Sequence, residues 1–95
     1  MAAELLDGNA FLAATKDQLR DRVKELAERG ITPGLGTILV GDDPNSASYV
    51  SHKHADSADV GIVSHHVALP ASATQADVLA AIETFNEDPG VDAFI

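Results

Sequence analysis

The sequence has no cysteine and no tryptophan, and its aromatic side chains are three Phe and one Tyr. Without cysteine there is no disulfide, no thiolate metal ligand and no cysteine nucleophile. That absence fits a reducing compartment. With so few rings, the core must be aliphatic. Basic residues are also scarce: six Lys and Arg stand against 15 Asp and Glu, a formal charge of −9. A phosphate-binding face needs clustered Lys and Arg. Here they are scattered, so nucleic acid is excluded as a partner and an anionic membrane surface is disfavoured. No apolar run approaches the roughly 20 residues of a membrane span. The opening, Met1-Ala-Ala-Glu-Leu-Leu-Asp7, carries acids where a secretory signal would carry an apolar run. The chain reads as soluble and cytoplasmic.

What is present fits one compact domain. The chain has 95 residues, 45% apolar and 22% charged, which is globular rather than disordered composition. Helical and strand periods alternate along it. Phe11 to Arg29 reads as a helix, with Leu12, Leu19 and Leu26 seven apart and Val23 between them. Gly30 ends it and Pro33 prevents resumption. Leu35 to Val40 is apolar almost throughout, as a strand covered on both faces should be. Gly41-Asp42-Asp43-Pro44 is a turn. Asn45 to Val60 reads as a helix capped by Asn45 or Ser46 and stopped by Gly61.

Val63 to Leu69 is a weaker strand, closed by Pro70. Thr74-Gln-Ala-Asp77 is a capping-box pattern before a helix with the stripe Val78, Leu79, Ile82 and Phe85. A turn over Asn86 to Gly90 leads to a third strand from Val91 to Ile95. The order αβαβαβ predicts an α/β fold: three layers, with a parallel sheet between helices. Because the chain ends inside an apolar strand, the expectation is a shortened piece of a longer gene product.

In open parallel sheets, ligands bind beyond the carboxyl ends of the strands. The first such end leads into the second helix. On a wheel of about 100° per residue, Ala47, Val50, His54 and Ala58 cluster on one side of that helix. Ser46, Tyr49 and Lys53 share its flank, while His52, Asp56 and Asp59 face away. Tyr49 and Lys53 are four apart and therefore neighbours. A Tyr can stack a flat ring and offer a hydroxyl. A desolvated Lys beside it can act as general acid or base. Spacing alone favours a blander reading, a half-buried Tyr beside a snorkelling Lys.

The residues around this pair form a longer motif. Pro33 to Lys53 follows the pattern P-x-L-x-x-I-L-V-G-D-D-P-x-S-x-x-Y-V-x-x-K, with VGDDPNSASYVSHK from Val40 to Lys53. It resembles the bifunctional methylenetetrahydrofolate dehydrogenase/methenyltetrahydrofolate cyclohydrolase family. Leu6-Asp7-Gly8 is similar to that family's opening L-D-G, with Asn9 where Lys is frequent. His54 to Ile62 is similar to K-x-A-C-x-x-V-G-I, with Ser57 where Cys is common. Leu69-Pro70 and Leu79 to Asn86 match L-P and L-x-x-I-x-x-L-N, with Phe85 for the second Leu.

The resemblance implies the front of the catalytic, substrate-binding domain. Its implied activity is NADP-dependent oxidation of 5,10-methylenetetrahydrofolate, with hydrolysis of the methenyl form to 10-formyltetrahydrofolate. Such one-carbon metabolism serves purine biosynthesis. By resemblance Lys53 is the general acid/base of the cyclohydrolase step. Tyr49 stacks on the aminobenzoyl part of the folate, and Ser46 lies near the substrate. A homodimer is implied for the parent enzyme. The family's later V-Q-L-P segment and Gly-rich NADP-binding domain have no counterpart within Met1–Ile95, so this stretch alone is expected to be inactive. The alternatives are a non-catalytic α/β fragment with residual folate or partner binding, and a generic α/β interaction module.

No metal site is expected. His52 and His54 point about 160° apart on a helix, and His65 and His66 fall on opposite faces of a strand. His54 reads as a polar residue packed near the sheet or a subunit contact. Asp42-Asp43 reads as a solvated turn capping backbone groups before Pro44. Gly34-Leu-Gly36 lacks the third Gly of a dinucleotide fingerprint and precedes a strand rather than following one.

Overall fold

The computed structural model describes residues 2–95. The element order is α1 (Gly8–Glu28), β1 (Gly34–Val40), α2 (Pro44–Val60), β2 (Val63–Leu69), α3 (Gln75–Glu87) and β3 (Ala93–Phe94). The strands form one parallel sheet in the order β2-β1-β3. Gly34 pairs with Val63 and Val40 with Leu69 on one side, and Leu35 with Ala93 on the other. The αβαβαβ reading and its parallel sheet therefore hold.

Three layers form because alternate residues of β1 face opposite ways. Leu35 and Thr37 face α2, and α1 lies over the same side: Leu35 shares a groove with Leu12, Leu19, Ser57 and Val60. Gly34 and Gly36 face the other way. A Cβ on Gly36 would stand 2.8 Å from the Phe85 ring of α3, and one on Gly34 would run into the Gly90 carbonyl. These glycines are therefore spacers that let α3 and the turn after it approach the central strand. Phe85 then tilts against Phe94 with ring centroids 5.9 Å apart.

The element ends differ from the sequence reading where capping chemistry decides them. α1 begins three residues earlier than Phe11, because the Asp7 carboxylate accepts from the backbone N–H groups of Asn9 and Ala10. The cap of α2 is neither Asn45 nor Ser46. It is Asp43, which accepts from both of their backbone N–H groups and leaves Pro44 at the first helical position. Gly61 ends α2 at φ 92°, the left-handed geometry that favours glycine. The capping box of α3 is present, Thr74 and Asp77 each receiving the other's backbone N–H. α3 runs on through Glu87, into the stretch read as a turn, and β3 shortens to two residues.

The helix–helix contact has an ionic part beside its apolar groove. Lys16 Nζ on α1 lies 2.7 Å from Asp56 and 2.8 Å from Asp59, and Arg20 Nε donates to the Asp59 carbonyl. Asp56 and Asp59 thus do not face away from the fold but toward α1. The Asp56 carboxylate, and then that of Asp59, hold the Lys16 ammonium above its ordinary range. Lys16 in turn holds the Asp59 carboxyl below the usual range.

Little apolar surface is covered. Among the described residues the buried apolar side chains are Val60 and Phe85. The accessible surface is 6984 Å², against about 5200 Å² expected for a compact monomer of this mass. The radius of gyration is 16.7 Å, where a compact domain of this length would have about 12 Å. Among the described residues no helix is long and apolar enough to cross a membrane.

Candidate functional site

The turn after β1 directs the chain straight into α2. Gly41 takes φ 85° and its N–H donates to the Leu69 carbonyl, so the chain leaves the sheet at its carboxyl edge. Asp43 then caps the helix, and one turn on, Ser46, Tyr49 and Val50 come out over the strand ends. With Ile38, Leu39, Asn45 and Ile95 they line a cleft of about 390 Å³. Its walls are mostly aliphatic, with polar groups from Asn45, Ser46 and Tyr49. An apolar cleft with a few convergent polar groups is the ordinary form of a small-molecule site.

Tyr49 is 57% exposed, so its ring is available to a ligand rather than used in a core. Lys53 lies one turn further along and is half-buried. Its Nζ stands 5.4 Å from the centroid of the Tyr49 ring, within cation–π reach. The stem of Lys53 does not enter the Tyr49 cleft. It lies in a neighbouring groove between α1 and α2, beside Leu12, Lys16 and Asp56. The structure therefore brings Ser46 and Tyr49 into one cleft and sets Lys53 at its border, with the Tyr49 ring between.

A second constellation lies behind this flank. Thr37, fully buried on β1, places its hydroxyl 2.9 Å from His54 Nε2 and 2.6 Å from His66 Nδ1. The two rings meet edge-on, with centroids 5.2 Å apart. His54 is thus packed against the sheet, the first of the two roles read for it. His66 stands across from Thr37 in the β1–β2 register, and His65 lies on the opposite face beside Gly34 and Gly90. The sequence reading passed over Thr37 and weighed His66 only as a metal ligand. The available signal was a lone hydroxyl in an apolar strand, which must find a partner once buried. Among the described residues no group of three or more His, Cys, Asp or Glu could hold a metal ion.

Comparison with known proteins gives this geometry its context. The family model described as tetrahydrofolate dehydrogenase/cyclohydrolase, catalytic domain, matches residues 6–95. The chain belongs to this family. Its sequence is 53% identical to the bifunctional protein FolD of Syntrophotalea carbinolica over 95 residues, all of this chain and 33% of that protein. The bifunctional FolD of Campylobacter jejuni superposes with a TM-score of 0.94 at 38% identity, over 98% of this chain and 33% of that one. The Trypanosoma brucei FolD, solved with NADP cofactor and inhibitor, gives a TM-score of 0.94 at 32% identity, over 100% and 33%. The chain thus spans about a third of the length of the relatives it matches. Within the family, the described structure comprises three helices and the three-stranded parallel sheet.

Proposed function

We infer that this chain supplies the folate-binding front of a methylenetetrahydrofolate dehydrogenase/cyclohydrolase, the N-terminal part of its catalytic domain. The observation that carries the reading is the cleft at the β1 end with Tyr49 exposed in it and Lys53 Nζ 5.4 Å from that ring. Tyr49 stacks on the aminobenzoyl ring of the substrate. Lys53 gives and takes the proton as water adds to the methenyl carbon and the ring opens to the 10-formyl product. Ser46 presents its hydroxyl at the mouth of the cleft. The whole enzyme, by this reading, is a cytoplasmic homodimer that feeds one-carbon units to purine biosynthesis.

NADP, present in the Trypanosoma brucei relative, does not fit the residues of this chain. The space in front of Gly34 and Gly36 is filled by the Gly90 carbonyl and the Phe85 ring. The N-terminus of α2 is already capped by the Asp43 carboxylate, with Asp42 beside it. Two acidic side chains there repel a pyrophosphate that a bare helix N-terminus would attract. No hydride step is therefore derived from these residues, and the cofactor is assigned to the part of the relatives this chain does not span.

A second reading, a binding scaffold without turnover, is favoured by one observation, the open surface of 6984 Å². A single experiment separates the two. The purified chain, its fold checked by far-UV dichroism, is titrated with 5-formyltetrahydrofolate and assayed for methenyltetrahydrofolate hydrolysis. Tyr49→Ala is expected to weaken binding about tenfold, as loss of a stacking contact does. Lys53→Ala is expected to bind within a few-fold of the wild type. Hydrolysis by the wild type that Lys53→Ala lowers by about a hundredfold or more supports the enzyme reading. Binding without hydrolysis is the outcome expected of a stretch spanning a third of its relatives; it supports the folate half-site and not turnover by this chain alone. A folded chain that binds no folate sinks both.

A further inference from the structure

The Tyr49–Lys53 flank is useful only if α2 keeps one rotation about its axis. A roll of about 20° moves a group some 6 Å from that axis by about 2 Å, and misplacements of about 1 Å can cost a hundredfold in rate. The ionic contacts of α1 do not fix that roll well. They run through the one flexible Lys16 side chain to carboxylates that stand about half exposed to water, where such pairs are weak. Val60 and Ser57, the buried residues of α2, lie near its far end. Among the described residues, one short polar contact ties the helix to the middle of the sheet. It is the Thr37 hydroxyl, reached by His54, the residue that follows Lys53.

We propose that Thr37 is a positioning residue for the substrate flank: its hydroxyl, shared between His54 and His66, locks the rotation of α2 on the sheet and so aims Tyr49 and Lys53. The inference rests on the folate reading for its purpose and on the geometry for its existence. The proton count gives it a signature. A hydroxyl donates one hydrogen bond. The buried Thr37 hydroxyl has no side-chain partner among the described residues besides these two rings, so with both rings neutral its own hydrogen goes to one facing nitrogen and it accepts from the N–H of the other. His54 Nε2 and His66 Nδ1 must then be in opposite states, one protonated and one bare. The two tautomers are coupled through Thr37, and neither ring can turn without breaking the bridge. A serine preserves this; a valine keeps the shape of threonine and removes it.

Imidazole nitrogen states in the full chain are read by long-range proton–nitrogen NMR above pH 8, with ring-to-ring cross-peaks recorded alongside. The variants are Thr37→Val and Thr37→Ser, and 5-formyltetrahydrofolate is titrated into each. The wild type should show opposite states at the two facing nitrogens and His54–His66 cross-peaks. Thr37→Val should lose both while keeping its far-UV dichroism, and should bind the folate about tenfold more weakly. Thr37→Ser should restore all three. The proposal is overturned by like states at the facing nitrogens, by missing cross-peaks in the wild type, or by a Thr37→Val variant that matches it. A wild type with the paired nitrogen states and cross-peaks but no folate binding counts against the folate reading alone. The locking role then stands or falls on whether Thr37→Val loses the cross-peaks.

Discussion

Gly36 shows how one missing methyl group sets the thickness of a layer. Its Cα faces the Phe85 ring so closely that an added Cβ would sit 2.8 Å from Cε2 and 3.0 Å from the Phe94 Cβ. Phe85 is one of the buried apolar side chains, so it has little room to retreat. Gly36→Ala should therefore destabilise the chain by about 1–3 kcal/mol, the usual cost of overpacking. Gly8→Ala is the control. Nothing lies within 4 Å of a Cβ there, and the residue sits in the first turn of α1. It should be neutral or stabilising by up to about 1 kcal/mol. Urea midpoints of the two variants beside the wild type test the contrast. At this scale the sequence showed the glycines but not their purpose. Excluding a dinucleotide fingerprint was possible from spacing, whereas the ring that faces Gly36 arrives from 49 positions later, at residue 85.

At the scale of elements, caps decide where helices begin. Asp43→Ala removes the acceptor for the Asn45 and Ser46 N–H groups and should cost about 1 kcal/mol. Amide exchange should rise first in the opening turn of α2, and Asp43→Asn should restore it. α1 and α2 are further joined through Lys16, Asp56 and Asp59, and the sign of the pH effect follows from the shifts. Asp59, held low by Lys16, contributes above about pH 4, and the contribution disappears as pH falls through its lowered value. Lys16, held high by Asp56 and Asp59, contributes below about pH 10.4, and this disappears as pH rises through its raised value. Exchange protection of α1 should thus be flat between these limits and fall outside them. Lys16→Met should remove both edges.

Element order and type were legible because hydrophobic period and Gly, Pro and Thr punctuation are local signals, as the match of Val63 to Leu69 with β2 illustrates. The α2 cap was misassigned because Asn45 and Ser46 were weighed while Asp43 was read as part of the turn, and Pro44 at the first helical position leaves Asp43 just outside the helix. Ser46, Tyr49 and Lys53 stood out by their pattern, yet no pattern separates the cleft that holds the first two from the groove that holds the third.

For the whole molecule, surface is the governing quantity. An area of 6984 Å² with Leu5, Leu6, Phe11 and Ile95 exposed leaves the outer elements with few buried contacts. Stability should then be graded from the inside out. In native-state hydrogen exchange β1 amides should be the slowest, α2 intermediate, and the start of α1 the fastest. Equal protection of α1 and β1 would show instead that the helices and sheet open as one cooperative unit.

β1 lies between two strands that come later in the chain, Val63–Leu69 and Ala93–Phe94. During synthesis at about 5–20 residues per second, the aliphatic segment Leu35–Val40 leaves the ribosome with both hydrogen-bonding edges bare. One edge waits on the order of seconds for residue 69, and the other for residue 94. The strand at the centre of the finished sheet is thus the segment of the nascent chain most in need of a chaperone.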